Sequence, residues 1–99
     1  MIVFLAKRAR REARRIELWW REHREVSPDL FTEELANAVQ RLEEHGTRIG
    51  QPYSERCGRQ VYRLLLKKTE QHVYFRHDPP DTIMVLAVWG GRRKRGPKL

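Results

Sequence analysis

The sequence predicts an α+β fold: a strand, a helix hairpin, then a three-stranded antiparallel meander, with both helices packed on one face of the sheet. Three observations predict it. Arg59 to Leu66, Gln71 to Phe75 and Thr82 to Trp89 are rich in β-branched, aromatic and leucine side chains. The breaks between them, Lys67 to Glu70 and Asp78-Pro79-Pro80-Asp81, are too short for the crossover that parallel strands require. Ahead of them lie two segments whose apolar residues recur at threes and fours, the helical spacing.

Taken in order, Ile2-Val3-Phe4-Leu5 is short, apolar and β-favouring. It reads as a first strand beside the last one, because a lone strand would bury unpaired backbone groups. Lys7 to Glu25 reads as a helix with an apolar stripe of Ala6, Ala9, Ala13, Ile16 and Trp20. Leu18 and Trp19 flank that stripe and are expected to widen the buried face. Ser27 is expected to cap a second helix, with Pro28 in its first position and Asp29 in its first turn. That helix runs to about His45 with the stripe Phe31, Leu35, Ala38, Val39 and Leu42, and Gly46 follows as the stop. Thr47 to Gly58, with Gly50 and Pro52 inside it, reads as an irregular loop. The last strand is apolar on both alternating sets, Ile83/Val85/Ala87 and Met84/Leu86/Val88, so it belongs inside the sheet, covered on both faces.

The chain has 99 residues, enough for one domain. With 21 Lys+Arg against 13 Asp+Glu its net charge is +8, a field that attracts nucleic acid or an acidic protein partner. Six of these cations, Lys7, Arg8, Arg10, Arg11, Arg14 and Arg15, crowd the start of the first helix. The helix dipole disfavours cations there by about 0.3–1 kcal/mol each. Local stability does not explain them, so this face reads as a docking surface. Arg92-Arg93-Lys94-Arg95, in a basic C-terminal tail at 92–99, is the second candidate surface.

Several chemistries are excluded. Cys57 stands alone, so there is no disulfide framework and no cysteine metal site, as suits a reducing cytoplasm. His23, His45, His72 and His77 lack metal-ligand spacing, and no cofactor motif is present. Ser54, His72 and Asp78 have no nucleophile elbow. No segment approaches the roughly 20 apolar residues of a membrane span. One enzymatic class remains open, metal-free RNA cleavage. It needs a base for the 2′-hydroxyl, cations for the phosphorane and an acid for the leaving oxygen. Arg63, His72, Tyr74 and Arg93 are residues of the right types.

The run Val61-Tyr62-Arg63-Leu64-Leu65-Leu66-Lys67-Lys68-Thr69, then His72-Val73-Tyr74-Phe75, Val85-Leu86-Ala87-Val88-Trp89, Arg93 and Gly96-Pro97-Lys98-Leu99 resembles the C-terminal half of RelE/ParE-family toxins. Trp19-Trp20, Ser27-Pro28-Asp29-Leu30-Phe31 and Glu33-Glu34-Leu35 extend the resemblance over the whole chain. It is nearest the ParE-like, plasmid-stabilisation branch. The resemblance implies the toxin half of a type II toxin–antitoxin pair. It implies inhibition of DNA gyrase as the action, a cognate acidic antitoxin as the neutralising partner, and a cytoplasmic place of work. The other branch implies a ribosome-dependent mRNA endonuclease, with the ribosome and mRNA as partners. That branch carries a tyrosine or histidine near the C-terminus, and this chain has neither after His77. Arg8, Arg11, Arg15, Arg63, Arg92, Arg93, Lys94 and Arg95 are the residues expected to meet the target or the antitoxin.

Overall fold

The computed structural model describes residues 1–91 and 95–99. Strand β1 (Ile2–Leu5) leads into helix α1 (Lys7–His23), then α2 (Leu30–His45) and a 3-10 turn (Gly46–Ile49). Strands β2 (Gln51–Arg56), β3 (Arg59–Leu66), β4 (Gln71–Asp78) and β5 (Thr82–Gly90) complete one α+β domain. The sheet order is β1-β5-β4-β3-β2. β1 lies parallel to β5, as its need for a partner required, and the other pairs are antiparallel. No helix among the described residues is long and apolar enough to cross a membrane.

β5 lies between two strands and is covered on both faces. On the helix side Ile83, Val85 and Val88 join Phe75, Val73 and Leu66 beneath Phe31, Leu42 and Ala9. On the outer side Ala87 joins Val61 and Tyr74, with Tyr53, Leu86 and Leu99 packed around them. These sets differ from those expected by simple alternation. Tyr74 pairs with Ala87 but Phe75 pairs with Val85, so Leu86 is an extra residue in β5. Such a bulge inverts the parity of every residue beyond it, which moves Ala87 outward and Val88 inward.

Helix α1 has no side-chain cap and no acid in its first turn, so it is held by packing rather than by its ends. Ala9 is buried, and Ala13, Ile16 and Trp20 lie against the core. Trp19 and Leu18 do not widen that face: they are 42% and 41% exposed. α2 starts later than expected. Ser27 N donates to Arg24 O at 3.1 Å and Leu30 N to Ser27 O at 3.3 Å. That turn occupies Ser27 and Pro28, and the N-cap passes to Asp29, whose side chain makes no capping bond.

The segment read as an irregular loop contains β2. Its breakers are compatible with a strand because β2 is at the sheet edge, where proline is tolerated. Gly50 lets the chain pass so close to the Phe75 ring and Tyr62 that a Cβ would collide with them. Cys57 (φ 52°) and Gly58 (φ 75°) then close a tight hairpin, the backbone that a two-residue connection prefers.

Two carboxylates tie the helices to the sheet. Glu12 Oε1 accepts from Val88 N at 3.0 Å, at the β5 edge that β1 is too short to reach. Glu34 receives Lys68 N at 2.7 Å, Thr69 N at 3.0 Å and Thr69 Oγ1 at 2.6 Å, fixing the β3–β4 turn to α2. Hydrogen bonds to a charged group contribute about 1.5–3 kcal/mol. Glu34→Ala is therefore expected to lower the unfolding free energy by about 2 kcal/mol, measured by urea denaturation, while Glu33→Ala, exposed in the first turn of α2, changes it by less than about 1 kcal/mol.

Candidate functional site on the outer face of the sheet

Alternation along β3 and β4 sends Arg63, His72 and Tyr74 to the face away from the helices. Arg63 is paired with Tyr74, and Leu65 with His72, so the three lie on adjacent strands at neighbouring positions. The His72 and Tyr74 rings are 6.0 Å apart. Tyr53, the extra residue of a second bulge in β2, completes the cluster. Its ring meets Tyr74 edge-on at 4.7 Å, and the Arg63 guanidinium lies 5.3 Å from its centre. The sequence pointed to Arg63, His72 and Tyr74. Tyr53 was hidden because its segment looked like a loop, and a bulge residue follows no alternation.

Burial holds the His72 imidazole below the usual histidine range, and the Arg63 charge beside it acts in the same direction. His72 is thus neutral at pH 7, the form that accepts a proton. Burial pushes the Tyr74 phenol up, with Tyr53 adding to the effect and Arg63 opposing it. A neutral base, a protonated phenol and a guanidinium are the groups that metal-free phosphodiester cleavage uses. Access is another matter. Tyr74 is only 2% exposed, packed with Val61 and Ala87 under Tyr53. Among the described residues, no cluster of His, Cys, Asp and Glu is placed to hold a metal ion.

The C-terminal segment closes this face. The Trp89 indole donates to Arg95 O at 2.8 Å. Gly96 sits against the Tyr53 hydroxyl, where a Cβ would clash. Pro97 is buried, Leu99 packs on the outer cluster, and Arg8 donates to Lys98 O. Residues 95–99 therefore form a strap packed on the sheet. Arg95 keeps its side chain exposed. Arg92, Arg93 and Lys94 lie outside the described residues.

The first-helix cations do not act as one surface. Arg8 is taken up by Glu12 at 3.3 Å, by the Trp89 ring at 5.7 Å and by Lys98 O. Its role is to hold the strap, a contact between residues 90 positions apart that no local pattern reveals. Arg11 and Arg15 are exposed, and Arg15 lines a cleft on the helix side. A further basic group went unnoticed because its members are far apart in the chain. Arg56, Arg59 and Arg76 converge with Arg8 and Lys98 around a hollow floored by Val61 and Leu86. Asp78 bonds both Arg59 and Arg76 at 2.8 Å. The Arg76 bond is the main reason its carboxyl lies below the usual range.

The His72 shift has a checkable consequence. The folded state disfavours the imidazolium, so the unfolded chain binds more protons below the ordinary histidine pKa of about 6.5. His72 therefore contributes stability that is present above pH ~6.5 and lost as pH falls below it toward the depressed folded value. An NMR titration is expected to give His72 a midpoint below that of an exposed histidine, and Arg63→Gln is expected to raise it. The stability decline between pH 7 and pH 5 is expected to be shallower in His72→Gln.

Searches against protein-family models, curated proteins and solved structures find no match to this chain.

Proposed function

We propose that this chain is the toxin component of a type II toxin–antitoxin system, ParE-like in action, which binds and inhibits DNA gyrase in the cytoplasm and is neutralised by a cognate acidic antitoxin. The reading is supported by the resemblance along the whole chain, by the net charge of +8 and by the strand–helix–helix–strand order. One observation carries the choice of binder over nuclease. Tyr74 is 2% exposed, and Tyr53 and the 95–99 strap cover the outer cluster. A group that must touch a ribose or a leaving oxygen needs to be reachable, and this one is spent on packing.

The second reading, a ribosome-dependent mRNA endonuclease, is favoured by a different observation. His72 is only half-buried and neutral beside Arg63, a base next to a cation. The two readings separate in cells. After induction of this protein alone, DNA synthesis is expected to fall before protein synthesis in pulse labelling, and His72→Gln is expected to leave the effect within about twofold. If protein synthesis falls first and His72→Gln lowers the effect by about 100-fold or more, the size typical of a lost general base, the endonuclease reading replaces the first. If neither falls, the toxin reading is wrong.

A further inference from the structure

The outer face of the sheet has a second hollow, at the end away from His72. β3 and β4 run antiparallel, so the path from the Arg63–Tyr74 pair toward the β2–β3 hairpin reaches Val61 and Arg59 on one strand and Arg76 and Asp78 on the other. Alternation keeps these residues on the face away from the helices. There the sheet, the hairpin and the 95–99 strap enclose about 540 Å³. Small-molecule sites commonly measure about 300–1,000 Å³.

The hollow has two kinds of wall. Val61, Leu86 and Leu99 make one that is aliphatic. Arg8, Arg56, Arg59, Arg76 and Lys98 make one that is cationic. Asp78 bonds Arg59 at 2.8 Å and Arg76 at 2.8 and 3.3 Å. It thereby holds two guanidinium groups side by side, while taking only part of each one's set of N–H donors. Glu12 answers Arg8. Arg56 and Lys98 are exposed, and among the described residues neither side chain has an acidic partner. The positive side-chain charge is therefore not cancelled within the hollow.

The apolar surface continues past it. Phe4 is paired with Met84, and Met84 with Arg76, so an apolar row crosses β1 and β5 to reach the same guanidinium. Val3 and Leu5 pack on the helix-side core, which turns Ile2 and Phe4 outward. Phe4 is 54% exposed and Ile2 49%.

These walls select among occupants. A metal ion is repelled by the cations. A nucleobase would find no aromatic ring, hydroxyl or carboxamide among the described residues of the lining. An extended peptide would need a free strand edge, and β3, β4 and β5 each lie between two neighbours. An anion with an aliphatic tail suits both walls. Its head accepts charge-assisted hydrogen bonds from guanidinium groups already fixed in place, and its tail covers apolar surface.

We propose that this hollow binds a single-chain aliphatic anion, with a phosphate or carboxylate head on Arg59 and Arg76 and an alkyl chain over Val61, Leu86 and Leu99. The site stands apart from the toxin reading, because its ligand is recognised by this chain alone.

The test titrates the full chain with octyl phosphate below its micelle concentration, followed by calorimetry and by NMR of methyl and arginine Nε–H signals. Saturable binding is expected, with shifts at Leu86, Leu99, Arg59 and Arg76 and none at Leu35 on the helix side. Inorganic phosphate is expected to bind at least about tenfold more weakly, since it leaves the aliphatic wall bare. Arg59→Gln combined with Arg76→Gln is expected to weaken octyl phosphate binding by about tenfold or more. That pair also strips Asp78 of its partners, so Arg56→Gln combined with Lys98→Gln, which breaks no ion pair, serves as a second variant, with an expected loss of about threefold or more. Arg24→Gln, on the helix side, is expected to leave binding within about twofold. The proposal is overturned by the absence of binding up to about 1 mM octyl phosphate, by equal binding of inorganic phosphate, or by indifference to both paired variants. It is also overturned if a single-stranded oligonucleotide at equal phosphate concentration displaces octyl phosphate, which assigns the hollow to nucleic acid. Binding to phosphatidylglycerol vesicles without binding of monomeric octyl phosphate overturns it too, and assigns the cations to a lipid surface. None of these readouts involves toxicity, so the site and the toxin reading stand or fall separately.

Discussion

The structure depends on one constraint, that β5 is apolar on both sides and must be covered on both. A strand of this composition at an edge or under a single layer would leave either its backbone or one row of side chains in water. The sheet resolves this by placing β5 between β1 and β4, with helices on one face and the 95–99 strap on the other. The helix side is built from Ala9, Phe31, Ala38 and Leu42 with Ala13, Ile16, Trp20 and Leu35 beside them, and the outer side from a few tyrosine, valine and leucine side chains.

The polar contacts follow from where those covers stop. β1 is shorter than β5, so the Val88 amide would lack a partner without the Glu12 carboxylate. Glu34 fastens the β3–β4 turn to α2 through three bonds. Arg8 fastens the strap by its carbonyl while sharing Glu12. A set of first-helix cations that is unfavourable for its own helix dipole thus includes one with a structural task in the tertiary fold.

Thin cover on the outer face also sets the chemistry. Arg63, His72, Tyr74 and Tyr53 are brought together, and the burial that gathers them shifts His72 down and Tyr74 up. The same burial removes Tyr74 from reach. Proximity of residue types and availability for reaction are separate properties here, since the tyrosine is held by the packing that positions it.

The α+β class, the extents of β1 and β3, and the start of α1 are legible in the chain's order of residues, because each rests on a local pattern of polarity with its own period. Alternation within β4 also puts His72 and Tyr74 on one face, whereas Arg63 joins them only through the register between β3 and β4. Where residues are inserted is set by strand pairing in the folded sheet. The bulges at Tyr53 and Leu86 changed which side chains face the core, and neither leaves a mark in composition. β2 was masked by Gly50 and Pro52, breakers that an edge strand accommodates once a hairpin partner supplies the hydrogen bonds. Trp19 sits outside the core and Arg56, Arg59 and Arg76 sit together for the same reason. Their positions depend on contacts between segments far apart in the chain, and a one-dimensional pattern carries no information about those.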